Sequence, residues 1–227
     1  MALGRLLHGT PNPSAPGAIG HARGYEALCA IALAGRRRRM YSRLVGLSGA
    51  APGERALDVG CGTGYLTHMI ATAVTPGGSA LGVDPSAPMI RYAQEHTRED
   101  GCTFTEGFAE ELDAPDGSFD VVVTSLAVHH FPEDKREQAL REMFRVLRPG
   151  GRLLLADFRP PTGRLARHLV GAVTGPAMEH NPVHLLEPLA RGAGFKDLDS
   201  GDVRPLLHYV RATKPSADKT LHTAAAG

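Results

Sequence analysis

The sequence carries no excess of charge of either sign: 25 Lys+Arg stand against 24 Asp+Glu, a formal +1. Such a balance gives no overall pull toward a phosphate backbone, which argues against a dedicated DNA or RNA binder. Cysteine is scarce. Cys29, Cys61 and Cys102 are odd in number and lack CxxC spacing, so they build neither a disulfide framework nor a zinc cluster and point to a reducing, cytoplasmic setting. A long hydrophobic run is missing too. The apolar stretch Ala27 to Ala34 is too short to cross a bilayer, and it lies too deep for a signal peptide, with its arginines on the wrong side. No segment repeats internally. What is present is a chain of 227 residues, 42% hydrophobic and 22% charged, which suits one soluble domain with a sizeable core.

Residues 1–20 hold Pro11, Pro13, Pro16 and four glycines, bury little, and are predicted to be a flexible arm. Residues 215–227 read as a tail. The single domain spans 21–214. Its N-terminal part, 21–48, is predicted to be a helical lid, with Leu28, Ile31, Met40, Leu44 and Leu47 at roughly helical spacing around the run Arg36 to Arg39. That run reads as a solvated helix face rather than a membrane-binding patch.

The middle of the chain alternates short apolar runs with longer helical patterns, the signature of an α/β fold with helices on both faces of a mostly parallel sheet. Seven strands are predicted: Arg55 to Val59, Ser79 to Val83, Cys102 to Glu106, Phe119 to Ser125, Arg152 to Asp157, Phe195 to Ser200 and Leu206 to Thr213. One helix presents Leu66, Met69, Ile70 and Ala73. Another, Glu133 to Leu147, presents Leu140, Met143, Phe144 and Leu147, keeps Lys135, Arg136, Arg141 and Arg145 mostly outward, and is closed by Gly150 and Gly151. The last link, Gly201 to Pro205, is too short for a crossover helix, so the final strand is expected to run antiparallel.

Leu57-Asp58-Val59-Gly60-Cys61-Gly62-Thr63-Gly64 falls where a strand meets a helix, a place where glycines let the backbone approach a nucleotide-like ligand. The spacing is GxGxG, with Tyr65 where a dinucleotide fingerprint has its third glycine, which weakens a dehydrogenase reading. Asp58 would repel a pyrophosphate, whereas a ligand bearing an ammonium and a sulfonium would be attracted.

These residues, with LGVDPSAPMI, PDGSFDVVVTSLAVHHF and LRPGGRLLLADF in the same order, resemble the motifs of class I S-adenosylmethionine-dependent methyltransferases over about residues 50–213. Ala193-Gly194-Phe195 is similar to the small-molecule branch that includes quinone-biosynthesis methyltransferases. The resemblance implies a Rossmann-like domain that binds S-adenosylmethionine, transfers its methyl to a small-molecule acceptor by in-line displacement and releases S-adenosylhomocysteine. A cofactor-binding protein of the same fold with a non-methylating or regulatory role is the alternative.

By the same resemblance Gly60, Cys61, Gly62 and Gly64 shape the cofactor loop, with Asp58 near the methionine amino group, directly or through water. Asp84 is placed to accept from both ribose hydroxyls, followed by Pro85 and by Met89, which either covers an adenine face or packs in a helix core. Phe108 stands where the family usually has an aspartate. It cannot accept from the adenine amino group, which leaves adenine to the Ala109 amide and to packing, unless Phe108 turns into the core. Ser125 is expected beside the methionine portion. His129 and His130 are candidate general bases, with Asp157 orienting base or acceptor. The insertion 158–194 is expected to shape the acceptor pocket, and His21, Arg23 and Tyr25 to touch the acceptor. His180 and His184 flank Asn181-Pro182 without a carboxylate cluster, so no metal is expected. Nucleic-acid methylation is disfavoured because Ser125-Leu126-Ala127-Val128 replaces an Asn/Asp-Pro-Pro-aromatic motif.

Overall fold

In a computed structural model the described residues are 35–159, 183–204 and 207–216, together with Ala22, Glu26 and Asn181. Twelve of the elements matter to the site. In chain order they are α1 (Arg37–Ser48), β1 (Arg55–Val59), α2 (Tyr65–Val74), β2 (Ser79–Asp84), α3 (Ala87–His96), β3 (Cys102–Glu106), β4 (Phe119–Ser125), α4 (Arg136–Val146), β5 (Leu147–Phe158), α5 (Leu186–Gly192), β6 (Lys196–Val203) and β7 (Leu207–Thr213).

The seven strands form one sheet in the order β3-β2-β1-β4-β5-β7-β6. β1 pairs in parallel with β2 and β4, β2 with β3, and β4 with β5, while β7 lies antiparallel between β5 and β6. The chain reverses its direction of travel across the sheet between β1 and β4, and open α/β folds collect ligands at the carboxyl ends of the strands beside such a point.

Alternation along the strands builds a core on each face. Val121, Val123, Leu154 and Ala156 face Met40, Tyr41 and Leu44 of α1 and Leu66, Ile70 and Val74 of α2. Val122, Leu153 and Leu155 face Leu140 and Met143 of α4 and Leu186 and Ala190 of α5. Cys61, Ile90, Ala93 and Phe104 make a smaller cluster under α3.

Three sequence expectations are corrected. Gly150 and Gly151 do not close a helix: α4 stops at Val146 and β5 begins at once, with Pro149 to Gly151 inside it. The register jumps from Phe119↔Leu147 to Val121↔Arg152, so the glycines form an irregularity within the strand. Gly150 N donates to Lys214 O at 2.8 Å, and Lys214 N to Gly151 O at 2.9 Å, extending the β7 pairing. On α2 the buried face is Leu66, Thr67, Ile70, Ala71 and Val74, one step round from the predicted one. Arg136 is buried, its Nε donating to Phe131 O at 3.2 Å.

The arm 1–20, most of the segment 21–34, residues 160–180 of the insertion and the tail beyond 216 lie outside the described residues. Among the described residues no helix is long and apolar enough to cross a membrane.

Candidate active site

The site begins with the turn from β1 into α2. Gly60 N and Cys61 N both donate to Val83 O, at 2.7 and 3.1 Å, and Gly64 N donates to Cys61 O at 3.0 Å. The end of β1 is thereby tied to the end of β2. Gly60 has φ +75°, and a Cβ there would stand 2.4 Å from Ala127 Cβ, so only glycine fits without displacement. Gly62 has φ +54° and open space where its Cβ would be. Backbone at this position is therefore bare to a ligand. Cys61 is a packing residue, buried against Phe104 and Ala93, and burial beside Asp58 and Asp84 pushes its thiol well up.

Asp84 closes β2 and joins the turn. Its Oδ2 accepts from Gly62 N at 2.9 Å and its Oδ1 from Ser86 N at 2.9 Å. A carboxylate has about four lone-pair sites, so this anchoring leaves acceptor capacity for hydroxyl donors. Burial pushes the Asp84 carboxyl up against the opposing pull of those two amides. Pro85 follows half-buried, and Met89 is 2% exposed on the inner side of α3 with Ile90 and Ala93.

Asp58 is 2% exposed, and its Oδ2 accepts from Thr67 Oγ1 at 2.7 Å. The carboxyl thus sits beneath the turn, against α2. Burial lifts its pKa to about 7, with the Thr67 hydrogen bond opposing and the Asp84 charge adding. An unfolded aspartate titrates near 3.9. Between about pH 4 and pH 7 the folded chain keeps a proton that the unfolded chain has released, so stability falls as pH rises through that window, by about 4 kcal/mol from this group. Thermal unfolding of the ligand-free protein across that range should show the fall, and Asp58→Asn should flatten it. An unchanged slope in the variant would contradict this assignment.

Beyond β3, Gly107 N donates to Asp84 O at 3.2 Å, which brings the next residues beside the Asp84 corner. Phe108 is 39% exposed and pairs across a bridge with Glu111, while Ala109 is buried in the core. Phe108 does not turn into the core; its ring is available at the surface next to the end of β2.

The end of β4 supplies the other wall. Ser125 Oγ is buried and has no hydrogen-bond partner among the described residues. A buried orphan hydroxyl costs free energy that a bound polar ligand recovers. Leu126 then takes φ +56°, a conformation uncommon for a side-chain-bearing residue and one that tends to mark functional turns. Its N–H donates to Ala156 O at 2.8 Å.

His129 and His130 occupy a single helical turn, Val128–His130. The His129 side chain is 3% exposed, and Asp157 at the end of β5 is 0% exposed. Asp157 Oδ1 receives His129 Nδ1 at 2.8 Å, Asn181 Nδ2 at 2.7 Å and Phe158 N at 2.7 Å, while Oδ2 receives His129 N at 3.1 Å. Burial would raise the Asp157 carboxyl, but His129, Phe158 and Asn181 outweigh it and hold it below its ordinary value. The His130 ring lies on that of His129, with centroids 4.0 Å apart. His129 is thus a buried, oriented ring, and the half-buried His130 is packed on it.

No local signal in the sequence marks Asn181, which stands between His180 and Pro182, as a partner of Asp157. His184 lies in a short helical turn, and His180 is outside the described residues. No group of three or more His, Cys, Asp or Glu able to hold a metal occurs among the described residues. His21, Arg23 and Tyr25 also lie outside them. A cavity of about 630 Å³ opens between α4 and α5, lined by His129, Arg136, Arg141, Leu185, Leu189 and Ala193 among others.

Residues 56–151 match the family model for a methyltransferase domain. That stretch runs from β1 to the start of β5 and contains the glycine turn, Asp84, Phe108, Ser125 and the His129-His130 pair. Among known proteins the chain is similar to the ubiquinone/menaquinone biosynthesis C-methyltransferase of Vibrio campbellii, 37% identical over 134 residues, covering 57% of this chain and 51% of that protein. The corresponding protein of Pseudomonas syringae pv. tomato is 36% identical over 138 residues, covering 59% of this chain and 53% of its own length. The chain spans about half the length of these relatives. A SAM-dependent methyltransferase from Aquifex aeolicus has a similar fold, with a TM-score of 0.69 at 18% identity over 86% of this chain and 98% of its own.

Proposed function

We propose that the chain is an S-adenosylmethionine-dependent methyltransferase acting on a small hydroxylated aromatic acceptor of the hydroquinone class, in the cytoplasm and not on nucleic acid. The observation that carries this is the cradle itself: bare backbone at Gly62, the Asp84 carboxylate fixed beside it, and the orphan Ser125 hydroxyl across from β1. These residues suit the cofactor. Asp84 would hold the ribose hydroxyls, the Phe108 ring would cover the adenine in place of a hydrogen bond, and Ser125 would bind the methionine portion. The quinone acceptor class is argued from the relatives above, whose printed activity is C-methylation.

S-adenosylmethionine, when bound, supplies a sulfonium-activated methyl that needs no covalent help from the protein. The residues contribute position and water exclusion. A hydroxylated ring becomes a better carbon nucleophile once its hydroxyl proton leaves, and His130 is the base this reading assigns. Asp157 holds His129, and His129 supports the His130 ring.

Incubation with S-adenosylmethionine and a panel of hydroquinones, phenols and amines should yield S-adenosylhomocysteine and a methylated hydroquinone. His130→Ala should lower kcat by about 10²–10⁴-fold with little change in cofactor affinity. Cofactor binding without transfer to any of these acceptors would favour the non-methylating alternative.

A further inference from the structure

Arg136, at 8% exposed, is the one buried Lys or Arg among the described residues. Its Nε–H goes to the neutral Phe131 carbonyl at 3.2 Å, and neither Nη has a hydrogen-bond or carboxylate partner among the described residues. The more exposed Arg145, Arg148 and Arg152 each hold a carboxylate. A buried cation without a counter-ion is costly, and buried charges are normally paired. The fork of Arg136 is therefore left over for an anion that the described chain does not supply.

Arg136 lines the cavity of about 630 Å³ between α4 and α5, whose two walls differ in character. On the α5 side Leu185, Leu189 and Ala193 recur at every fourth position, so they share one face and offer an apolar flank. On the α4 side Arg136 opens the helix, and Lys135 before it supplies no side-chain cap, so the positive end of the helix dipole lies at the same wall. Two acids border that wall, both exposed: Glu137 lies 3.6 Å from Arg141, and Glu133 has no partner among the described residues. His129 also lines the cavity, whereas Gly62, Asp84, Phe108 and Ser125 do not.

Guanidinium forks take carboxylates and phosphates through two parallel hydrogen bonds. We propose that Arg136 and the apolar flank of α5 form a second ligand site, distinct from the cofactor cradle, for a small molecule that joins an oxyanion head to an apolar body. The head pairs with the Arg136 fork and the body lies on Leu185, Leu189 and Ala193. The inference uses none of the cradle residues and stands whether or not the cofactor reading does. An occupant would touch His129, which links the site to the Asp157 network.

Three probes with the same ring separate the parts in ligand-observed NMR titrations of the full chain: benzoate, phenyl phosphate and uncharged benzyl alcohol. Both anions, or one of them, should bind more tightly than the alcohol, and which anion binds better tells a carboxylate ligand from a phosphate ester. Arg136→Gln should weaken the preferred anion by about 10–100-fold and leave benzyl alcohol unchanged. Glu133→Gln removes the unpaired acid at the wall and should tighten anion binding by about 2–5-fold, an effect that a purely structural tie from Arg136 to Phe131 would not produce. If Arg136→Gln does not fold, Arg136→Lys keeps the charge without the fork and should bind the anion more weakly than the unsubstituted chain does. Equal binding of all three probes would make the space an apolar cleft and overturn the proposal. So would anion binding that is indifferent to both Arg136 and Glu133, or no saturable binding of either anion up to about 10 mM.

Discussion

Asp157→Ala is expected to cost about 3–5 kcal/mol of folding stability, the largest effect of any single substitution in the site. The carboxylate is fully buried and receives four donors: the ring and backbone nitrogens of His129, the Phe158 amide and the Asn181 side chain. Truncation strands all of them away from water at once. The sign of the pH dependence follows from the same contacts. Because the folded carboxyl is held below its ordinary value, its contribution is present above the unfolded aspartate range and is lost as pH falls through the folded value. Denaturant unfolding at neutral pH checks the magnitude, and a change below about 1 kcal/mol, within the range of surface ion pairs, would mean that the network contributes little. Asp157→Asn keeps the volume and should cost less, about 1–3 kcal/mol, while still loosening His129 beneath His130.

Gly60→Ala should be nearly as damaging, for a different reason. The added Cβ would lie 2.4 Å from Ala127 Cβ, on a backbone at φ +75°. Left-handed strain of about 1–2 kcal/mol and overpacking of about 1–3 kcal/mol both apply. Relief requires moving either the turn or the segment after β4, and both form walls of the site. The variant should unfold roughly 5–15 °C lower and bind cofactor poorly even when folded. By contrast, Gly62→Ala meets no neighbour within 4 Å, so its φ strain alone should be felt in stability. Thermal melts of the two variants side by side distinguish a steric requirement from a merely conformational one.

The strands and the glycine turn were legible because they rest on local signals. The continuous apolar runs of β4 and β5 mark strands buried on both faces, whose valines and leucines divide between the two cores, and GxGxG between a strand and a helix has few other uses. What escaped were polar residues satisfied at long range. Thr67 reads as outward by hydrophobicity, yet its hydroxyl is matched to Asp58 and the helix turns by one position to bury it. Arg136 reads as solvated, yet the Phe131 carbonyl takes its Nε–H. Glu26 and Asn181 have partners 37 and 24 positions away, beyond any periodic pattern. Gly150 and Gly151, which read as a helix stop, lie instead inside β5, where they form a register irregularity beside β4. The sequence leaves open the direction of both Phe108 and Met89: Phe108 is exposed, a surface available to a flat ligand, whereas Met89 is buried on the inner side of α3.

The most direct measurement is a calorimetric titration of the full chain with S-adenosylmethionine and S-adenosylhomocysteine, repeated with Asp84→Ala. The account predicts saturable binding of both ligands at one site, weakened about 100-fold or more in the variant, because two hydroxyl hydrogen bonds to a carboxylate and the tether to Gly62 are lost together. Absence of binding to either ligand, or binding indifferent to Asp84→Ala, would contradict it.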